Sequence, residues 1–145
     1  MIRVVQPGDG EALARMMNRC SPRTTYERFH GVVTEIPHAY LRSCLSGAHL
    51  ALVAEQGSEI VGLASMARDE DVPEIGVVIE DGWQGRGLGR ALVAALVEKA
   101  DTPVVRMELC RASLLDYVKA TFPIVASASH GCDVTLDVDL GSAVQ

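Results

Sequence analysis

A glycine-rich run at residues 84–90 carries the residue types that bind a phosphate group. It reads Gln-Gly-Arg-Gly-Leu-Gly-Arg, follows an apolar, strand-like segment and opens an amphipathic helix. A strand that turns into a helix in this way directs backbone N–H groups and the positive end of the helix dipole at one point. Glycines at 85, 87 and 89 let a ligand approach the main chain without meeting Cβ atoms. Arg86 and Arg90 add positive charge, so the run predicts a site for an anion.

Two other kinds of phosphate-binding loop can be compared with this run. A Walker A loop ends in G-K-[ST], whereas here Gly89 is followed by Arg90 and Ala91. A dinucleotide-binding loop has the spacing G-x-G-x-x-G, but counting from Gly85 the third glycine comes one position early. Both loops are therefore disfavoured. The remaining alternative to an anion site is a connector with two solvated arginines.

Cysteine and histidine, which often carry chemistry, follow no recognisable pattern in this sequence. The four cysteines form no C-x-x-C pair and the four histidines form no H-E-x-x-H motif, so no metal site is predicted. Cys110 could be interpreted as a nucleophile, but no histidine lies near it in sequence and buried cysteines are usually unreactive. Free thiols are typical of a reducing compartment, which predicts a cytoplasmic protein.

The composition limits the classes of partner. The chain has 145 residues and 48% hydrophobic content, which suits a single domain over residues 1–145. A formal net charge of −6 gives no general attraction to nucleic acid or to an anionic membrane surface. The most apolar run, residues 91–97, is much shorter than the roughly 20 residues that span a bilayer. The sequence therefore predicts a soluble domain with no nucleic-acid or membrane partner, and no export leader is expected.

The elements that must position the glycine-rich run begin with a short strand at residues 2–5. Asp9 is expected to cap a first helix that has one apolar face. Ser21 before Pro22 predicts the start of a second helix, because proline at the first helical position loses no needed N–H group. Residues 39–45 are expected to form a third, short helix. The first third of the chain is thus predicted to be mostly helical.

The remaining two thirds alternate strands with helices. Strands are predicted at residues 49–55, 59–66, 74–80, 104–109, 124–128 and 134–140, and helices at residues 87–100 and 112–121. Gly76 inside a strand marks a bulge or a close approach by another backbone or a ligand, and a tolerated weak point is the alternative. This order predicts a mixed α/β (α+β) sheet with helices on its faces, and it differs from a doubly wound order.

At this point the sequence resembles the GCN5-related N-acetyltransferase (GNAT) superfamily, whose signature is Q/R-x-x-G-x-G/A after an apolar strand. Gln84, Gly87 and Gly89 match it. The resemblance covers nearly the whole chain and implies a central, mostly antiparallel sheet flanked by helices. It implies acetyl-CoA or a related acyl-CoA as donor. It also implies that the pantetheine arm pairs with the main chain of Val77, Val78 and Ile79, and that the pyrophosphate is held by Gln84, Gly85, Arg86, Gly87, Leu88, Gly89 and Arg90.

A finer resemblance lies in residues 21–30. They are similar to the pattern S-x-x-S/T-x-Y-x-R-F-F of acetyltransferase domains associated with bacterial protein-lysine acetylation and with acyl-CoA synthetases. The pattern does not fix a substrate. The alternative is that Tyr26 and Phe29 are simply core contacts of the second helix.

Acyl transfer to an amine needs a base, because a lysine-like ammonium with a pKa of about 10.4 must lose a proton before it attacks. A buried carboxylate with a raised pKa could take this proton. Glu74 begins the strand beside the signature and matches the glutamate that related domains carry in an A-E-[IV]-[AG] run and use as general base. An ordinary strand-end glutamate facing solvent is the alternative.

The departing thiolate needs an acid, and the resemblance implies a tyrosine in the pattern N-x-x-A-x-x-x-Y-x-x-x-G-F. Tyr117 lies five residues before Phe122, as this pattern requires. Cys110 stands where the asparagine is expected and Thr121 where the glycine is expected, so the pattern is degenerate here. Simple core packing is the alternative interpretation of Tyr117.

The resemblance as a whole implies an N-acetyltransferase that needs no metal. Its acceptor would be a primary amine, either a protein lysine or a small molecule, that attacks the thioester directly. The departures at Cys110 and Thr121 leave a second hypothesis, a catalytically weak or inactive regulatory module that binds acyl-CoA. Because dimers are common among such proteins, a homodimer is a further expectation.

Overall fold

A computed structural model describes residues 1–29, 35–68, 70–110, 112–131 and 133–141 of the chain. Its strands are β1 (Ile2–Val4), β2 (His49–Gln56), β3 (Glu59–Ala67), β4 (Glu74–Ile79), β5 (Val104–Leu109), β6 (Ile124–His130) and β7 (Asp133–Asp139). Its helices are α1 (Gly10–Asn18), α2 (Pro22–Phe29), α3 (His38–Ser46), α4 (Leu88–Lys99) and α5 (Ala112–Thr121). The predicted order of elements is confirmed, and the predicted ends lie within two residues of those found.

The described strands form one seven-stranded sheet in the order β1-β2-β3-β4-β5-β7-β6. Neighbouring strands run antiparallel except for β4 and β5, which are parallel. The prediction of a mixed, mostly antiparallel sheet is therefore confirmed. The single parallel pair arises because α4 connects β4 to β5, and a crossover of this kind brings the chain back in the same direction.

The parallel pair is short. Glu74 is opposite Arg106 and Ile75 is opposite Met107, and no later ladder pair between β4 and β5 is found within the described residues. On its other side β4 stays paired with β3 as far as Ile79. The sheet therefore splits beyond Ile75, and the two strands diverge towards the end where α4 begins.

Helices cover both faces of the sheet. Residues of β2 alternate between the two cores, with Leu52 packed on the α4 side and Val53 packed on the α1 side. This two-sided burial explains why β2 is a continuous apolar run in the sequence. On one face α4 buries Leu92, Val93, Leu96 and Val97. On the opposite face α1 buries Leu13, Met16 and Met17.

The prediction that Asp9 caps the first helix is wrong for its side chain. Asp9 precedes α1, but its carboxylate makes no capping hydrogen bond to that helix. It accepts hydrogen bonds from both terminal nitrogens of Arg3, at 2.8 and 2.9 Å, and from the backbone N–H of Gln6 at 2.6 Å. Arg3 also donates to Glu55 of β2 at 3.1 Å. The carboxylate therefore fixes the start of α1 to the edge of the sheet, since a bidentate arginine is a stronger partner than a helix N–H group.

Acid should weaken the fold through Asp9. The hydrogen bonds from Arg3 hold the pKa of the buried Asp9 carboxyl below its usual value, against an opposing effect of burial. Because an unfolded aspartate has a pKa of about 3.9, the ion pair stabilises the fold above about pH 4 and is lost as the pH falls through the folded pKa. Urea midpoints measured from about pH 7 to about pH 3 should fall further for the wild type than for Asp9→Asn. An equal fall in both proteins would contradict this expectation.

Within the described residues, no helix is long and apolar enough to cross a membrane. No group of three or more histidine, cysteine, aspartate or glutamate side chains in those ranges is arranged to hold a metal ion.

Candidate active site

A cleft of about 710 Å³ opens where β4 and β5 diverge. Its walls come from β4, from the glycine-rich run, from α2, and from the end of β5 with the start of α5. This volume is in the range of small-molecule sites. The cleft also contains all the residues predicted to bind the donor, namely Val77, Val78, Ile79, Gln84, Gly85, Arg86, Gly87, Leu88, Gly89 and Arg90.

Two glycines shape the end of the cleft at the N-terminus of α4. Gly85 has φ +76° and Gly87, the N-cap residue, has φ +84°, a left-handed conformation that strongly favours glycine. A methyl group added to either residue would meet no protein atom within 4 Å, so both Cα atoms border open space. Gly89 differs, because a methyl there would make ordinary contact with Leu114 at 3.9 Å. The backbone thus calls for glycine at two of the three predicted positions.

The Gln84 side chain holds the glycine-rich run in place. Its amide nitrogen donates to the carbonyl oxygen of Ile79 at 2.9 Å and to the hydroxyl of Thr24 at 3.0 Å. These bonds tie the run to the end of β4 and to the buried face of α2. The side chain of Gln84 therefore orients the loop.

Replacing Gln84 should loosen this loop in a graded way. Gln84→Ala loses two hydrogen bonds, each worth about 0.5–1.5 kcal/mol. Gln84→Glu should be worse for acetyl-CoA affinity, because a carboxylate cannot donate to Ile79 and puts negative charge beside the anion site. Gln56→Ala, at an exposed position on β2, is the control. Denaturant unfolding and calorimetry would measure both effects, and equal affinities for the Gln84 variants and the wild type would refute the anchoring role.

Both arginines of the run lie over aromatic rings. The Arg86 guanidinium is 4.6 Å from the centre of the Trp83 ring, and the Arg90 guanidinium is 5.7 Å from the centre of the Tyr117 ring. Both side chains remain exposed at the cleft. The rings restrain the stems while the charges stay accessible, which suits binding of a phosphate group.

The middle of β4 offers its main chain to the cleft. Val77, Val78 and Ile79 pair with Ala64, Leu63 and Gly62 of β3, so one side of the strand is satisfied by the sheet. The other side faces the space from which β5 has diverged. The side chain of Val78 packs into the core on one face of the sheet. The side chains of Val77 and Ile79 pack into the core on the other face. Only the strand's backbone edge is therefore presented to a ligand along this wall.

Glu74 lies at the mouth of the cleft, at the start of β4. The expectation of a buried carboxylate is wrong, because Glu74 is exposed. Its position follows from the strand period: Ile75 and Val77 face the α4 core, so Glu74 and Gly76 face the side that α2 covers. A glutamate here can reach a ligand that enters from the α2 side.

Tyr117 lies beside the cleft rather than in it. It is absent from the described residues that line the cleft, and its ring packs edge-on against Phe122 at 6.3 Å between centres. Thr121 donates from its hydroxyl to the carbonyl of Tyr117 at 2.6 Å, a bond that the expected glycine could not make. The core-packing interpretation fits these contacts, and the role of general acid stays a prediction.

Two acidic residues at the end of β4 fix the helices of the first third. Glu80 accepts a hydrogen bond from Arg19 at 2.5 Å, and Asp81 accepts one from the backbone N–H of Ser21 at 2.7 Å. Burial alone would raise the pKa of Asp81, but hydrogen bonds from Ser21 and Thr24 outweigh it and lower the pKa. These contacts set the position of α2 along the cleft.

The α2 motif places its residues differently from the prediction. Tyr26 is 54% exposed and is therefore no core contact, whereas Phe29 packs edge-on against Tyr40 at 5.6 Å between ring centres. The last residue of the motif, His30, lies outside the described residues. Arg28, the arginine of this motif, reaches the cleft wall beside Gly76. The mid-strand glycine was the signal for this approach, which is made by a side chain and involves no bulge in the β3–β4 register.

The split sheet and the glycine-rich helix start define the fold of the acyl-CoA N-acyltransferases. A protein-family model described as the acetyltransferase (GNAT) family matches residues 12–113. The chain therefore belongs to the GNAT family. It is also 34% identical over 109 residues to acetyltransferase PA5475 of Pseudomonas aeruginosa, in an alignment that covers 69% of this chain and 59% of that protein. The chain thus spans about three fifths of the length of this relative.

Solved structures show the same fold. The GNAT domain of S. lividans PAT has a TM-score of 0.78 at 18% identity, covering 95% of this chain and 89% of that one. The structure of yncA from Salmonella typhimurium, which contains acetyl-CoA, has a TM-score of 0.73 at 19% identity, with 97% and 93% covered. At these identities the likeness establishes the architecture.

Proposed function

We propose that this protein transfers an acetyl group from acetyl-CoA to a primary amine. The observation that carries the proposal is the continuous cleft, which joins a bare backbone edge on β4 to the left-handed glycines at the start of α4. Acetyl-CoA is a long donor with a pyrophosphate group, so it needs a strand edge for its pantetheine arm and an anion site in one continuous cleft. Family membership adds support, since the matched description is that of acetyltransferases.

The residues present suit the donor. Backbone amides of Gly85, Gly87 and Gly89 and the positive end of the α4 dipole would hold the pyrophosphate, with Arg86 and Arg90 adding charge. The main chain at residues 77–79 would bond the pantetheine arm as a further strand would. A backbone N–H near Val77 would polarise the thioester carbonyl.

Residues in and beside the cleft can supply the proton transfers that the proposed reaction needs. Glu74 takes a proton from the acceptor ammonium, directly or through a water molecule, and the amine then attacks the thioester carbon. A C–N bond forms as the C–S bond breaks. The coenzyme A thiolate takes a proton, for which Tyr117 remains the candidate donor, and the nitrogen loses its excess proton, which restores the proton donor. No metal is required by this sequence of steps.

The test combines binding and turnover. Calorimetry should show one acetyl-CoA per chain, and a thiol reagent should detect coenzyme A released in the presence of an amine acceptor. Binding at one hundred times Kd should also stabilise the fold by roughly 2.7 kcal/mol. Absence of any thermal shift with acetyl-CoA would refute the proposal.

A second candidate is a regulatory module that binds acyl-CoA without turnover. Two observations favour it. Tyr117 lies beside the cleft, and Cys110 lies at the cleft wall where the family pattern has asparagine. Acetyl-CoA binding without thiol release against protein lysines and a broad panel of small amines would support this candidate over the enzyme.

The remaining expectations concern assembly and location. A homodimer is supported by β6, which lies at the edge of the described sheet and is exposed along most of its length. Such an edge is available for pairing with another strand. Sedimentation of the purified chain would test the dimer, and the cytoplasmic location stays a prediction that cell fractionation would test.

A further inference from the structure

Arg28, near the end of α2, holds a positive charge at the wall of the cleft. Its guanidinium carbon lies 4.8 Å from the centre of the Phe29 ring and 4.7 Å from the centre of the Tyr40 ring. Its Nε atom is buried and has no hydrogen-bond partner. Arg28 as a whole is half-buried and lines the cleft.

The position of this charge is fixed by several elements. A Cβ atom at Gly76 would collide with the guanidinium group of Arg28, so the side chain rests directly on the backbone of β4. Ser65 is opposite Gly76 in the β3–β4 ladder, and its hydroxyl is 2.5 Å from the hydroxyl of Tyr40. This hydrogen bond holds the Tyr40 ring under the guanidinium. Packing on β4 and on the Tyr40 ring therefore holds the arginine in a defined position.

The charge of Arg28 has no counterion among the described residues, since none of their ion pairs includes it. The other arginine of α2, Arg23, is exposed and bonds Glu27. Two aromatic faces offset only part of the cost of removing a guanidinium from water. A cation in a cleft that forms no ion pair with the described residues is suited to a carboxylate of a ligand, which it can bind with two parallel hydrogen bonds.

The proposed base, Glu74, determines which group of a ligand bound at this anion site could react. Glu74 and Gly76 point to the same face of β4 and are two residues, or roughly 7 Å, apart along the strand. The guanidinium on Gly76 and the proposed base therefore lie on the same face of β4 and line the same cleft. A ligand that placed a carboxylate on Arg28 would bring a nearby amino group to Glu74.

We propose that the acceptor is a small amine that carries a carboxylate, such as a free amino acid, and that Arg28 determines this specificity. The inference rests on the proposed acetyl transfer. The acceptor carboxylate binds the guanidinium, its ammonium loses a proton to Glu74, and the amine attacks the thioester. A protein lysine side chain has no carboxylate at this distance and would leave Arg28 unpaired.

The test compares matched pairs of acceptors, each a proteinogenic amino acid and its carboxamide, with acetyl-CoA in excess. Because two charge-assisted hydrogen bonds are at stake, kcat/KM for the preferred amino acid should exceed that for its amide by roughly 10- to 100-fold or more. Arg28→Gln should abolish this preference while the Kd for acetyl-CoA changes little. Arg28→Lys should keep part of it, since lysine offers a point charge without the planar fork. Arg23→Gln is the control and should keep it all.

Some results would overturn the proposal. Equal kcat/KM values for acids and amides, an undiminished preference in Arg28→Gln, or faster transfer to a lysine peptide than to any amino acid would each do so. A second measurement needs neither a variant nor turnover. The wild-type protein is saturated with coenzyme A, and its affinities for the N-acetylated amino acids and for their amides are compared. Tighter binding of the acid form supports the role of Arg28 even if no thiol release is seen, a result that would refute only the acetyl transfer. Equal or absent binding of both forms would overturn the role of Arg28.

Discussion

Gly87→Ala should abolish high-affinity binding of acetyl-CoA. Gly87 has φ +84° at the start of α4, a conformation that costs other residues about 1–2 kcal/mol. The added methyl would also enter the open space in front of the loop, where the pyrophosphate is expected. Hydrogen bonds to charged groups are worth about 1.5–3 kcal/mol each, so the loss of two should weaken binding by roughly 100-fold or more. Calorimetry with acetyl-CoA would measure this change.

Gly57→Ala separates backbone strain from loss of the site. Gly57 has φ +62° in the turn between β2 and β3, and a methyl there also meets no atom within 4 Å. Both variants should therefore lose similar free energy of unfolding, while Gly57→Ala keeps its affinity for acetyl-CoA. If both variants bound as tightly as the wild type, the glycine-rich run would not be the pyrophosphate site.

Glu74→Gln should lower kcat and leave donor binding intact. The amide keeps the size of the side chain but cannot accept the proton from the acceptor ammonium. General base catalysis is typically worth about 100- to 10,000-fold, so kcat should fall within that range. Glu74 is exposed in the cleft and is not among the residues expected to hold the donor, so the Kd for acetyl-CoA should stay within about twofold of the wild-type value.

Glu98→Gln gives the matched control for this carboxylate. Glu98 is exposed near the far end of α4 and lies outside the cleft. This variant has the same change of charge and should have an unchanged kcat. An unchanged kcat in Glu74→Gln as well would remove Glu74 as the base and leave solvent water, or another group of the cleft, to accept the proton.

The experiments on Gly87 and Glu74 probe opposite ends of one cleft, so they also test whether the cleft acts as a unit. Loss of binding in the first and loss of turnover in the second would place donor and acceptor in line along β4. Thiol release measured with the preferred acceptor reports both effects in a single assay. A loss of acetyl-CoA binding in Glu74→Gln would instead mean that the two ends are coupled.

The sequence by itself determined the elements and the donor end of the cleft. These features depend on local signals. The helix period, the strand period and the need for glycine at positive φ are each determined within a few residues. Residues 84–90 could therefore be interpreted before their neighbours were known. The role proposed for the main chain of residues 77–79 came from the family resemblance, and it stays a prediction.

The tertiary structure alone decided what lies at the proposed acceptor end. Arg28 and Gly76 lie 48 positions apart in the sequence. The mid-strand glycine predicts a close approach, but nothing local identifies Arg28 as the residue that makes it. Asp9 and Tyr117 have partners only six and five residues away, Arg3 and Phe122, yet which of the possible local contacts forms was also decided by the fold. Burial and charge pairing depend on what distant segments bring to a position. The glycine-rich run could thus be predicted to bind an anion, but which acceptor reaches the other end depends on side chains that only the folded sheet brings together.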